Sequence, residues 1–109
     1  MQSMEKHQDG IWIIGADGQT TYANQRMAEI LKTTPEAMLG HPSFAYVFPE
    51  DVAAAQRLFE VKSRGDISPF HFRLRCKDGS AVAVDVQGTP MHNAAGSFKG
   101  IVGTFSVSD

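Results

Sequence analysis

The sequence predicts an α+β domain: a five-stranded antiparallel sheet with short helices and one longer helix packed on one of its faces. Three observations lead there. Two Asp-Gly pairs, Asp17-Gly18 and Asp78-Gly79, each stand between runs of alternating apolar residues. Gly supplies the positive φ of a tight hairpin and Asp bonds its own backbone, so each pair marks two antiparallel strands. Between the pairs, apolar residues recur at i, i+3 and i+4, the helical period. A looser turn, Asn93-Ala94-Ala95-Gly96, then leads into one last alternating run.

Residues 11–15 read as the first strand and 19–23 as its partner. A three-residue loop Ala16-Asp17-Gly18 pairs Ile14 with Thr20 and Trp12 with Tyr22. Asn24 is a good N-cap for a helix whose apolar positions are Met27, Ile30 and Leu31. Thr34-Pro35-Glu36 opens a second, short helix that stops at Gly40, by cap, Pro in the first turn and an early acid. Residues 43–48 suit one further turn. Pro49-Glu50-Asp51 opens the longest helix, with Val52, Ala55, Leu58 and Phe59 on one face. Lys62 and Arg64 stand in its last turn, where the helix dipole favours cations, and Gly65 ends it.

From 69 to 76 the alternation is clean. Phe70, Phe72, Leu74 and Cys76 face one way; His71, Arg73 and Arg75 face the other. A Lys77-Asp78-Gly79 loop sets Leu74 opposite Val82, Phe72 opposite Val84, Phe70 opposite Val86 and His71 opposite Asp85, with Arg73 diagonal to Asp85. A slip of one residue would mix apolar and charged faces, so the register is well specified. In the last strand, residues 98–107, Ile101, Gly103, Phe105 and Val107 suit the buried face.

The chain has 109 residues, enough for one domain with its own core, and a formal net charge of −2. That balance offers nothing to attract nucleic acid or an anionic membrane, so neither partner is expected. The single cysteine, Cys76, excludes an internal disulfide and suits a reducing compartment. No apolar run approaches the ~18–20 residues of a membrane span, and Met1–Asp9 is too polar for a signal peptide. Residues 1–8 are expected to be a flexible remnant and 9–109 a single domain.

These pieces, in this order, resemble a PAS domain, a sensory module of signalling proteins. Asp9-Gly10-Ile11 followed by Asp17-Gly18 is similar to the family's first hairpin, and Tyr22-Ala23-Asn24 to its strand exit into an Asn-capped helix. Met38-Leu39-Gly40-His41-Pro42 resembles the turn after the second helix. Phe48-Pro49-Glu50-Asp51 resembles the opening of the long helix, with Phe48 in place of the usual His. Cys76-Lys77-Asp78-Gly79-Ser80 resembles the second hairpin. Gly100-Ile101-Val102-Gly103 leads to Asp109, which resembles the first residue of the family's exit motif. The resemblance spans residues 9–109 and implies a domain excised from a larger cytoplasmic or membrane-tethered signalling protein, such as a histidine kinase.

It also implies a pocket between the sheet and the helices. The residues expected there are Trp12, Ile14, Tyr22, Met27 and Leu31 from the first half, and Phe44, Tyr46, Phe48 and Phe59 from the middle. Phe72, Leu74, Val84 and Phe105 complete the set from the last strands. Each also suits a plain core role. Light-sensing members form a flavin adduct with a Cys after the second helix. Here Gly40–Tyr46 has no Cys, and Val107 stands where those members hold Gln, so the adduct is not expected. Haem-binding members place an axial His on the long helix; residues 49–63 have none, and His7, His41, His71 and His92 show no metal-ligand spacing. No cofactor or metal is therefore expected, and a pocket ligand, if one exists, is an unidentified small molecule.

No nucleophile elbow, phosphate loop or zinc-protease motif is present, so no catalytic residue is assigned. His71, Arg73, Asp85, Gln87, Thr104 and Ser106 form the polar outer face, suited to a second copy or a flanking domain of the same chain. Val107 and Asp109 mark the exit of a signal towards an output domain. The competing reading is a docking or dimerisation module of the same fold with a filled core. A small enzyme on this scaffold would need ionisable groups on the apolar face.

Overall fold

The computed structural model describes residues 9–108; the expected remnant 1–8 and Asp109 lie outside them. Strand β1 (Gly10–Gly15) and β2 (Thr20–Ala23) form the first hairpin. Helices α1 (Gln25–Ile30) and α2 (Pro35–Met38) follow, then a 3-10 turn at Ser43–Tyr46. A second 3-10 turn, Pro49–Asp51, runs directly into α3 (Val52–Ser63). β3 (Phe70–Arg75), β4 (Ala81–His92) and β5 (Phe98–Val107) complete an antiparallel sheet of order β2-β1-β5-β4-β3. The fold is the predicted α+β arrangement.

Local chemistry sets the helix starts. Asn24 Oδ1 accepts from the amide of Met27 at 2.8 Å, which caps α1, and from the amide of Ile11 at 2.9 Å, which ties the cap to β1. Thr34 Oγ1 caps α2 through the amide of Ala37. Met27, Ala28, Ile30 and Leu31 are buried, so α1 lies with its apolar side in the core beside β1.

The β3–β4 register is the predicted one, with Leu74 facing Val82, Phe72 facing Val84, Phe70 facing Val86 and His71 facing Asp85. The first hairpin departs from its predicted register. Ile14 pairs with Thr20 as expected, but Ile13 pairs with Tyr22 and Trp12 with Ala23, because a bulge intervenes. Thr21 sits at the irregularity and donates its hydroxyl to the Ile13 carbonyl at 3.2 Å. The bulge turns Tyr22 outward and lets Ala23 follow Thr20 into the core. Val107 also departs from expectation: it is 40 % exposed at the open end of β5, beyond the cover of the helices.

Gly15 of β1 is paired with Gly100 of β5. Gly100 has φ of 139°, and a Cβ there would run into the carbonyl of Ile14. Gly100→Ala should therefore destabilise by more than ~3 kcal/mol. Gly79→Ala, in open space at φ of 91°, should cost about 1–2 kcal/mol. Urea denaturation of both variants checks the difference.

Asp78 closes the second hairpin. Its carboxylate accepts from the Ser80 hydroxyl at 2.6 Å, from the Ser80 amide at 2.9 Å and from Lys32 Nζ at 3.2 Å. These bonds, those from Ser80 foremost, hold its pKa down at about 2. A depressed folded pKa stabilises above the ordinary value near ~3.9, and the contribution is lost as pH falls from there towards 2. Carboxyl carbon NMR should show a midpoint near 2 that moves upward in Ser80→Ala.

Candidate functional site

The inner face of the sheet does not close completely against the helices. A cavity of about 100 Å³ lies between β1, β3, β4 and β5 on one side and α3 with the Ser43–Tyr46 turn on the other. Its sheet wall is Trp12, Ile14, Phe70, Phe72, Leu74, Val86, Ile101 and Phe105; Ala55, Leu58 and Phe59 of α3 face them, with Phe44 and Val47 from the turn region. Gly88 and Gly103 leave backbone at the wall. A Cβ on Gly103 would come within 2.6 Å of the Phe105 ring, so the bare glycine lets that ring lie along its own strand.

Trp12 anchors one end. Its indole N–H donates to Thr20 Oγ1 at 3.0 Å, both groups buried. Its ring meets Tyr46 edge-on at 5.8 Å and Phe105 tilted at 5.5 Å. Burial pushes the pKa of the Tyr46 phenol up.

Lys62 lies on the same wall, and it is the residue that sequence reasoning missed. It stands in the last turn of α3, as expected, and is 3 % exposed there. Its stem runs over Gly88, and Nζ donates to the carbonyl of Ser68 and lies 5.2 Å from the centre of the Phe70 ring. Asp66 Oδ1 is 4.0 Å away. A signal was available: Lys62 continues the stripe Val52, Ala55, Leu58–Phe59 at helical spacing, so it had to turn inward.

Of the residues expected at the pocket, Trp12, Ile14, Phe44, Phe59, Phe72, Leu74 and Phe105 line the cavity. Met27, Leu31 and Val84 are buried in the adjoining core, and Tyr46 packs behind Trp12. Tyr22 is 46 % exposed and does not reach the cavity, a consequence of the bulge. Phe48 lies under the Arg73 guanidinium, 4.4 Å from its ring centre. None of the lining residues is Cys or His. Cys76 is buried elsewhere, its thiol directed to the Ile30 carbonyl at 3.4 Å.

The outer face brings His71, Asp85, Gln87, Thr104 and Ser106 together. His71 Nδ1 is 2.9 Å from Asp85 Oδ1, and that hydrogen bond is the main reason the Asp85 pKa is lowered. Asp85, Gln87, Thr104 and Ser106 border a shallow depression with Asp9 and Pro69. Arg73 was expected beside Asp85. It pairs instead with Asp51, at 2.6 Å, and with Glu50, at 3.4 Å, because β3 is an edge strand and the long side chain reaches the start of α3. Among the described residues no group of His, Cys, Asp and Glu is placed to hold a metal ion. No described helix is long and apolar enough to cross a membrane.

Comparison with known proteins adds three findings. A family model described as the PAS fold matches residues 2–107. The PAS domain of a protein from Colwellia psychrerythraea superposes with a TM-score of 0.84 at 16 % identity, covering 92 % of this chain and 86 % of that one. The Cycle PAS-B domain of Drosophila melanogaster, solved with bound ethylene glycol, gives 0.78 at 21 % identity, covering 91 % and 99 %. The aryl hydrocarbon receptor nuclear translocator homologue of Drosophila melanogaster is 30 % identical over 73 residues, or 65 % of this chain. This chain spans 11 % of that relative's length.

Thr20→Val should leave the Trp12 indole N–H buried without an acceptor and destabilise by about 1–3 kcal/mol. Denaturation followed by the fluorescence of Trp12, the chain's single tryptophan, reads the loss directly.

Proposed function

The chain belongs to the PAS fold family, and from that premise we propose that it is a non-catalytic sensory module that binds a small ligand and passes a conformational signal to an output domain. The observation that carries this reading is the apolar cavity, whose wall is built in part by β5 through Ile101, Gly103 and Phe105. β5 is also the strand that ends at Val107, next to the exit at Asp109. A ligand that changes the packing of Phe105 acts on the strand that leaves the domain. The signal then passes through a linker helix to an output domain such as a histidine kinase, in the cytoplasm, with the parent protein free to be membrane-tethered. A flavin–cysteine adduct and an axially ligated haem are poorly supported, since the cavity wall carries neither Cys nor His.

The second reading, a docking or dimerisation module, draws on the shallow depression of the outer face at Asp85, Gln87, Thr104 and Ser106. A second copy or a flanking domain of the same chain is its natural occupant.

Denaturing mass spectrometry and an absorption spectrum of freshly purified protein test the first reading. A small molecule released on unfolding, absent from Ala55→Leu in which the side chain of α3 grows into the cavity, is the expected result. No released molecule, with no added ligand perturbing Trp12 fluorescence, would shift the balance to the docking module. In that case Thr104→Arg with Ser106→Arg should convert a sedimenting dimer to monomer.

A further inference from the structure

The wall of the cavity is almost wholly carbon, and the polar groups around it are turned elsewhere. The Trp12 indole N–H donates to Thr20 Oγ1 at 3.0 Å. Lys62 meets the space through its stem, whose Cδ and Cε lie 3.7 Å from the place a Cβ on Gly88 would take. Its ammonium is engaged outside the lining, by the Ser68 carbonyl and with Asp66 at 4.0 Å. Gly88 and Gly103 are partners in the β4–β5 ladder, so their peptide groups lie in the plane of the sheet and do not point into the space. Ser43 is the remaining polar residue of the wall, and a hydroxyl can answer a hydrogen bond but not a charge. Aromatic side chains dominate the rest: Trp12, Phe44, Phe59, Phe70, Phe72 and Phe105.

We propose that the cavity is a site for one small neutral apolar molecule, of the class of a single-ring aromatic hydrocarbon, and that it rejects ions of either sign. This rests on the reading of the cavity as a ligand site and adds the ligand's class. An ion entering the space gives up its hydration and finds no counter-charge, because the one ammonium nearby is held outside it. A hydrocarbon loses no hydrogen bonds on entry. It gains contact with rings that favour edge-on and tilted neighbours, as Trp12 already has in Tyr46 and Phe105. Size is limited as closely as charge. Dry apolar cavities of ~150 Å³ take up benzene. A space of about 100 Å³ leaves room for one ring and little beyond it. Gly88 helps to set that limit, since a Cβ there would stand 3.5 Å from Ile101 Cγ2, among the atoms of the wall.

The test titrates the intact chain at neutral pH with toluene, benzyl alcohol, benzoate and benzylammonium, read by calorimetry and by Trp12 fluorescence. Toluene should bind about 10-fold more tightly than benzyl alcohol and at least ~100-fold more tightly than either ion. Gly88→Ala adds a methyl group in ordinary contact with Ile101 and the Lys62 stem, and should weaken toluene several-fold while keeping that ranking. Ala55→Leu fills the space from α3 and should abolish toluene binding. Either variant locates the site if the other does not fold. Benzoate or benzylammonium binding as tightly as toluene, and lost in Ala55→Leu, would overturn the proposal and leave the ligand site standing. Toluene binding unmoved by the substitutions would put toluene elsewhere on the protein and overturn the proposal too. Failure of every compound to bind would overturn the ligand-site reading as well.

Discussion

The seam between β1 and β5 is the constraint on which the rest depends. Each hairpin is a local structure, and neither has a closed core alone. Pairing the first strand with the last joins them in the order β2-β1-β5-β4-β3. The join is close, because Gly15 faces Gly100 and a side chain on Gly100 would strike the Ile14 carbonyl. The same seam sets Trp12 against Phe105 at 5.5 Å and so fixes the far wall of the cavity. It is also a pairing of high sequence separation, so its loop-closure entropy weighs on the folding rate.

Two cations from neighbouring elements show how position decides the fate of a charge. Arg73 stands on an edge strand, where its guanidinium stays half in water, stacks on Phe48 and meets Asp51 and Glu50. Such a pair contributes little to stability, and it joins β3 to the start of α3. Lys62 stands on the inward stripe of α3, and its stem lies over Gly88, where a Cβ would meet it at 3.7 Å in ordinary contact. Long aliphatic stems commonly bury while the ammonium escapes to water. Here the 66–68 segment folds over the escape route, so the ammonium is held inside.

Where one physical rule dominates, the sequence was readable. The β3–β4 register was legible because a slip would have placed His71 and Arg73 in the core. The caps at Asn24 and Thr34 were legible because short polar side chains satisfy helix amides by local geometry. The seven pocket residues that line the cavity were legible from their inward phase, but the cavity itself was not, since a void is a property of how faces fail to meet. Tyr22 was misplaced because a single extra residue at Thr21 shifts the pairing, and alternation carries no mark of a bulge. Lys62 was placed correctly in the last turn of α3, but its inward burial went unread because the helix dipole already accounted for a cation there.

The two readings of function converge on the same strands. Along β4, Val86 and Gly88 face the cavity while Asp85 and Gln87 face outward. Along β5, Gly103 and Phe105 face the cavity while Thr104 and Ser106 face outward. Alternation welds the two surfaces together, because a strand cannot shift one set of side chains without carrying the other. The segment after α3 adds a second link, since Lys62 holds Ser68 from within and Gln87 holds Ile67 from the outer face at 2.5 Å. The inner and outer faces of the sheet are thus joined at Gln87, Gly88 and Lys62 through the segment that follows α3.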